Sequence, residues 1–301
     1  MKLTIIGHIC FDNFHRVDGT EERVLGGIYH AVAAMANLAS DRDTIYPVFG
    51  VGKKDDEQVR TVLSQYKNID LSGIFTFDGE TNSVHYYDDS PNERSLDIAA
   101  PIPFSAIKPF LNVDGVYVNM ISGKDIVVDT LDEIRLEIRG KKTALHLDMH
   151  CLTLSVNPDG TRVHKEMADW RRWCFMTDSV QMNEEEAKEI SVEQFNDELL
   201  AKQMIPLMVK AFIITRAERG ATLYQEQHKQ LSAVTFTDES NVPPVSTLGS
   251  GDIFGIAFLY FYLKKKSYPE AAELAQKTAS HSTKFQLTEK HRELKAMREL
   301  L

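Results

Sequence analysis

The chain has 301 residues, of which 43% are hydrophobic and 26% charged, and its formal net charge is −10. That length holds one large α/β domain or two ordinary ones, with the composition of a soluble globular protein. The acidic balance argues against a nucleic-acid binder, which carries a basic face, but leaves room for a small anionic ligand.

The first segment, KLTIIGHI, reads as a strand rather than a signal peptide, because polar residues follow it at once. Gly26-Gly27 open a small-residue helix, IYHAVAAMANLA. TIYPVFGVG is a strand ending in glycines, and DDEQVRTVLSQY has helical periodicity. From Phe75 to Ile98 polar and apolar residues alternate. The centre of this region, SVHYYDDSPNERSLDI, predicts a hairpin about a Ser-Pro-Asn turn. The short strands GVYVNM, TALHLDM, SVQMN and AFIITR then alternate with helix-like segments. Such alternation implies right-handed crossovers and a parallel sheet covered on both faces. VNPDGTRVHK and ATLYQEQHKQLSAVTF predict a second and a third hairpin, and from Leu248 the chain is mostly helical.

No segment supplies the roughly 18 uninterrupted apolar residues of a membrane helix, so no membrane partner is expected. Cys10, Cys151 and Cys174 lie far apart and form no CxxC pair, which suggests neither a zinc site nor a disulfide framework. A cytoplasmic protein fits this pattern. The chain carries no repeat or linker, so residues 1–301 are expected to form one domain.

The stretch VSTLGSGDIFGIAFLYFYL, Val245 to Leu263, joins a glycine turn to an apolar helix. Gly249-Ser250-Gly251 can bring several backbone N–H groups to one point. At a helix amino terminus, unpaired donors and the macrodipole favour an anion, with phosphate the natural guest. Asp252 would sit in the first helical turn and stay ionised there. It could accept a proton from an attacking hydroxyl while the turn stabilises a transferring phosphoryl group.

Other features have plainer readings. HLDMH puts His146, Asp148 and His150 on one face of a strand. That could mimic a metal site, but a central strand favours a buried, hydrogen-bonded set. Trp170 and Trp173 could stack on a ligand, but read first as a helix packing on the body. The aromatic run LYFYL reads as core. Lys264 to Lys266 close a helix, where cations suit the dipole. Arg16, Arg23 and Arg94 are expected at or near the first hairpin, where arginines are by default solvated.

In its surroundings, the segment Ser246-Thr247-Leu248-Gly249-Ser250-Gly251-Asp252 resembles the second signature of the ribokinase-like (PfkB) carbohydrate kinases, Asp-Thr-x-Gly-Ala-Gly-Asp. The resemblance runs along nearly the whole chain. IIGHICFDNF is similar to the family's first strand, with its substrate-binding aspartate at Asp12. GGIYHAVAAMANLA resembles its di-glycine signature, and VFGVGKKDDE its Gly-x-Val-Gly-x-Asp segment. TNSVHYYDDSPNERSL looks like its lid hairpin. VQMNEEEAKEI holds an Asn-x-x-Glu motif, and IITRAERGATLY is similar to the strand and turn that approach the nucleotide.

This resemblance implies a three-layer α/β/α fold with a mostly parallel central sheet. A small β lid would be built from residues of about 11–25 and 75–99. It implies transfer of the γ-phosphoryl group of ATP to a hydroxyl of a small sugar, polyol or nucleoside. Asp252 would be the general base, and the N–H groups of Gly249, Ser250, Gly251 and Asp252 the anion hole. Asn183 and Glu186 would organise Mg²⁺ and phosphate, Glu186 meeting the ion through water. Thr215, Gly220 and Thr247 would lie at the nucleotide. Asp12, Gly26 and Gly27 would meet the acceptor. Arg94, in the predicted lid, is a separate candidate from its position, able to grip an anionic acceptor.

A phosphosugar kinase that recruits the lid arginines is an alternative. So is a degenerate fold that binds nucleotide as a sensor or scaffold. An exposed lid sheet could also pair with a partner's lid in a homodimer.

The chain departs from the family pattern at four places. Ala31 stands where an asparagine meets substrate hydroxyls, Ala217 where a glycine follows the strand threonine, and Asp148-Met149-His150 where Asp-Pro-Asn is usual. Ser246 stands where an aspartate opens the second signature and helps to bind a monovalent cation. These changes point to an atypical acceptor or to lost activity, and the one at Ser246 to weak or absent dependence on K⁺.

Overall fold

In the computed structural model, which describes residues 1–191, 194–238 and 242–300, the apolar run KLTII forms β1 (Lys2–Ile6). The chain then leaves for a second sheet as β2 (Ile9–His15) and β3 (Glu21–Gly27). Gly27 opens the small-residue helix α1 (Ile28–Leu38). β4 (Thr44–Gly52), α2 (Asp56–Leu63) and β5 (Ile74–Phe77) return to the first sheet. β6 (Asn82–Tyr87) and β7 (Ser90–Leu96) complete the second.

The alternating part follows as α3 (Phe104–Ile107), β8 (Gly115–Asn119), α4 (Val128–Ile138) and β9 (Ala144–Asp148). A small hairpin, β10 (Leu154–Val156) and β11 (Arg162–His164), interrupts it. Then come α5 (Trp170–Cys174), β12 (Ser179–Asn183), α6 (Glu184–Glu189), α7 (Asp197–Met204) and β13 (Ala211–Thr215). The third hairpin is β14 (Ala221–Gln227) and β15 (Gln230–Phe236). The chain closes with α8 (Ser250–Lys265), α9 (Tyr268–Ser282) and α10 (Lys290–Glu293).

Among the described residues, the main sheet has nine strands in the order β15-β14-β13-β12-β9-β8-β1-β4-β5. From β13 to β5 all neighbours are parallel, and only β14 and β15 run antiparallel at the edge. β8 and β9 are buried along their whole length, as parallel strands covered on both faces must be. The architecture is the three-layer α/β/α arrangement read from the sequence.

α8 is buried nearly all round, with Ile253, Phe254, Phe258, Tyr260 and Phe261 at or below 2% exposure. A helix without a polar face belongs in the core, so the aromatic run is packing. It lies between α1 and α9 and against β8 and β9. Trp170 and Trp173 are buried in the core as well. The three cysteines are free and buried. Among the described residues, no helix is long and apolar enough to cross a membrane.

The hairpin turn differs from expectation. Tyr87 pairs with Ser90, so the turn is Asp88-Asp89, and Pro91 lies inside β7. β7 is the last strand of the sheet β3-β2-β6-β7. An edge strand tolerates a proline because one row of its backbone groups needs no partner.

Candidate active site

Four parallel strands end at one edge, on Asn119, Asp148, Asn183 and Thr215, paired in register as Asn119–Asp148 and Asn183–Thr215. Sites of open parallel sheets lie beyond this carboxyl edge. The amino terminus of α8 comes to the same place. Gln181 Nε2 donates to the Gly251 carbonyl at 3.0 Å, and Asn119 Nδ2 to Asp252 Oδ1 at 2.5 Å. Asp252 is 7% exposed.

Gly249 caps α8 in the left-handed region, φ +74°. A Cβ there would stand 2.5 Å from the His30 ring, so both backbone and space require glycine. The Ser250 N–H is taken by the Thr247 carbonyl at 3.0 Å. Among the described residues, no backbone acceptor faces the N–H of Gly251 or of Asp252. A Cβ on Gly251 would meet none of the described residues within 4 Å. The turn thus presents donors to open space at the positive end of a helix.

Beside the turn, Asp148 is buried and accepts from Tyr117 Oη (3.1 Å) and Gln181 Nε2 (3.0 Å). Burial, reinforced by the charges of Glu186 and Asp252, pushes its carboxyl well above the usual carboxylate range. Asn183 and Glu186 form a capping box at the start of α6. The Asn183 side chain accepts from the Glu186 N–H at 2.9 Å, and the two Glu186 oxygens accept from Asn183 N–H (2.8 Å) and Nδ2 (2.6 Å). Asn-x-x-Glu therefore has a local folding cause of its own. Burial, with Asp252 adding to it, raises Glu186 to about 7, and His150 Nδ1 lies 3.9 Å from its Oε1. His146 hydrogen-bonds Ser179 Oγ at 2.7 Å, and burial lowers its pKa to about 3. Among the described residues, no three His, Cys, Asp or Glu side chains converge on one metal position.

The second sheet carries Asp12, which is 2% exposed. His30 Nε2 lies 3.5 Å from its Oδ2, and the Cys10 thiol donates to Oδ1 at 3.5 Å. Gly26 passes so close that a Cβ would fall 2.0 Å from the carboxylate. Gly27 takes φ +60° against the His8 carbonyl. His30 links the two halves of the site, since it touches Asp12 on one side and faces Gly249 on the other.

Cross-strand register sorts the arginines. Asp12, Val84 and Ser95 stand in one row, and Arg23, Asn13, His85 and Arg94 in the next. Neighbouring rows face opposite ways. Arg94 is therefore on the face away from Asp12, over the Tyr87 ring. Arg23 pairs with Asp55 and stacks on Phe11, and Arg16 pairs with Asp88 and Glu22. The arginine on the Asp12 face is Arg162 of β11, which donates to Ser95 Oγ (2.6 Å) and Glu93 Oε2 (2.8 Å).

Thr215 closes β13, its hydroxyl 3.5 Å from the Met182 carbonyl. Gly220, at φ +81°, packs against the Phe236 carbonyl too closely for any Cβ. Thr247 is exposed. Ala217 takes φ +45°, which explains why a glycine would suit that position. Ala31 is fully buried on α1, and its neighbour His30 is the residue that reaches Asp12.

His30, Asn119 and Arg162 were not singled out in the sequence. A histidine inside an otherwise small and apolar helix, and an asparagine ending an apolar strand, are signals that could have been used for the first two. Arg162 gives none, because only the docking of its hairpin brings it near.

Residues 154–289 match the model of the pfkB family carbohydrate kinases. The chain is 23% identical over 290 residues to a cytidine kinase of Thermococcus kodakarensis, covering 93% of this chain and 95% of that one. Its fold matches a pyrophosphate-dependent kinase of the ribokinase family, solved with a pyrophosphate analog and myo-inositol. The TM-score is 0.78 at 18% identity, over 98% of this chain and 100% of that one. It also matches a ribokinase of Thermotoga maritima, with TM-score 0.75 at 17% identity over 99% of each chain. The second-signature turn lies inside the matched segment, and over almost its full length the chain has the fold of the ribokinase-like (PfkB) carbohydrate kinases.

Proposed function

We propose that this protein is an ATP-dependent kinase that phosphorylates a hydroxyl of a small neutral sugar, polyol or nucleoside. The observation that carries this reading is the junction at Asp252. A carboxylate held by Asn119 stands in the first turn of α8, beside backbone donors that face open space.

Asp252 takes the proton of the acceptor hydroxyl, and the hydroxyl oxygen bonds to the terminal phosphorus. The bond from phosphorus to the leaving oxygen breaks, and ADP departs with the electron pair. The N–H groups of Gly249, Gly251 and Asp252 stabilise the charge on the transferring group. Both Glu186 oxygens already accept hydrogen bonds, which fits a Mg²⁺ ion held through water and the donor's phosphates rather than in a protein cage. When bound, that ion neutralises phosphate charge, and Glu186 is the residue that would meet its waters.

Asp12 and His30 receive the acceptor. Removal of Asp12 removes hydrogen bonds to a charged group, worth about 1.5–3 kcal/mol each. Asp12→Ala is therefore expected to lower kcat/KM for the acceptor by about 10–10²-fold, with the KM for ATP little changed. Equal loss for both substrates would sink the assignment.

The four-stranded sheet is the lid of this reading. Closed over the acceptor, it excludes water that would otherwise receive the phosphoryl group. Amide exchange in β2, β3, β6 and β7 is expected to slow when acceptor and a non-hydrolysable donor are both bound. Unchanged exchange in a saturated complex would remove the lid role.

Pyrophosphate is the second donor to test, because a ribokinase-family structure that this fold matches is of a pyrophosphate-dependent kinase. The phosphosugar alternative is weaker: Arg16, Arg23 and Arg94 are committed elsewhere or face away, and Arg162 is paired with Glu93. A screen of polyols, sugars, phosphosugars and nucleosides, run with ATP and with pyrophosphate, tests the whole reading. Turnover of a neutral polyol, sugar or nucleoside with ATP supports it, and an inactive folded protein leaves the scaffold reading.

A further inference from the structure

Lys290 is fully buried at the start of α10, one residue beyond the matched family segment. Its ammonium donates to the carbonyls of Ser246 (3.0 Å) and Leu248 (2.7 Å). Among the described residues, no carboxylate lies within ion-pair distance of it. A buried charge without a contacting counter-ion is costly, and a lysine could be replaced by an apolar side chain if packing were its only task. Its two acceptors flank the loop that becomes the glycine turn. The peptide plane that carries the Leu248 carbonyl also carries the Gly249 N–H, and a trans peptide points them in opposite directions. An ammonium that holds this carbonyl on one side aims that N–H to the other.

We infer that Lys290 is a positioning residue, the built-in cation of the anion-binding turn, which aims the turn's N–H groups at the phosphoryl donor and makes an added monovalent cation unnecessary. The inference rests on the reading of the turn as the phosphoryl site. It accounts for Ser246, because a lysine already occupying the carbonyls leaves no need for an aspartate to recruit a loose ion. Burial lowers the pKa of Lys290 to about 8, against the opposing charge of Asp252, so the ammonium is the form present at neutral pH.

The test compares the wild type with Lys290→Met and Lys290→Arg. Pyrophosphate binding is measured by calorimetry, and kcat and both KM values are measured with KCl titrated against choline chloride. The wild type is expected to ignore K⁺. Lys290→Met should bind pyrophosphate at least about tenfold more weakly and lose about 10²-fold or more in kcat, the scale of a lost anion-hole donor, at an unchanged acceptor KM. K⁺ or NH₄⁺ should restore part of that kcat saturably, and Lys290→Arg should retain more of it than Met does.

Saturable, K⁺-specific activation of the wild type would overturn the inference, even if no variant folds. So would a folded Lys290→Met that binds pyrophosphate and turns over like the parent, or one that loses only thermal stability. The binding arm separates the two readings. If the wild type is inactive but binds pyrophosphate, and Lys290→Met does not, the kinase reading falls and the turn's cation stands. If the wild type neither turns over nor binds pyrophosphate, both fall.

Discussion

Asp252→Asn is expected to lower kcat by about 10²–10⁴-fold, the usual contribution of a general base, with fold and donor affinity kept. The fold should survive because the substitution is isosteric. Asn119 Nδ2 donates to Asp252 Oδ1 at 2.5 Å, and an asparagine can offer its carbonyl oxygen to the same donor. The helix loses only a favourable charge in its first turn, about 0.3–1 kcal/mol. Chemistry should suffer far more, since an amide cannot take the proton of the acceptor hydroxyl. The two effects are read apart by thermal melting and by kcat at saturating substrates. Parental turnover in the folded variant would mean that Asp252 is not the base. Loss of turnover that follows loss of fold would assign it to structure alone.

What could be read from the sequence was whatever local pattern decides. Glycine breaks and apolar runs placed the strands of the parallel sheet, and the polar-to-apolar junction at Asp252 marked the start of α8. Long-range register could not be read in this way. Arg94 looked suitable because it lies in the lid hairpin, but a side chain's face depends on pairing, and its row is that of Asn13 and His85 rather than of Asp12. The hairpin turn falls before the position that the sequence predicts, because proline is a strong turn signal in isolation, while an edge strand can absorb one. Asn183 and Glu186 were found through a motif that also caps a helix, so the pattern alone could not separate folding from function. His30 and Lys290 come from opposite ends of the chain to the second-signature turn. Nothing in the intervening sequence announces that meeting.

Gly249→Ala and Gly251→Ala should fail in different ways, although the two glycines lie two residues apart. At Gly249 the backbone has φ +74°, a region that costs an L-residue about 1–2 kcal/mol. The new Cβ would also stand 2.5 Å from the His30 ring. That ring is boxed in, with Asp12 Oδ2 at 3.5 Å and His291 at 3.3 Å. Either the turn shifts or His30 is driven onto Asp12. Gly249→Ala is therefore expected to lower the melting temperature and to cut kcat by about 10²–10³-fold as the turn's donors lose their aim. The acceptor KM should rise with it, because Asp12 is disturbed through His30. Gly251 has no unusual φ and, among the described residues, no neighbour within 4 Å of a Cβ. Alanine there should leave stability unchanged or raise it by about 0.4–1 kcal/mol through the unfolded chain. Its methyl group would occupy the space assigned to the phosphoryl group, so the donor KM should rise about tenfold or more while the acceptor KM stays put. Calorimetric melting and initial rates with each substrate varied in turn give all of these quantities. A Gly251→Ala enzyme with the parental donor KM would show that the donor does not lie against this turn, and the site built around Asp252 would have to be moved.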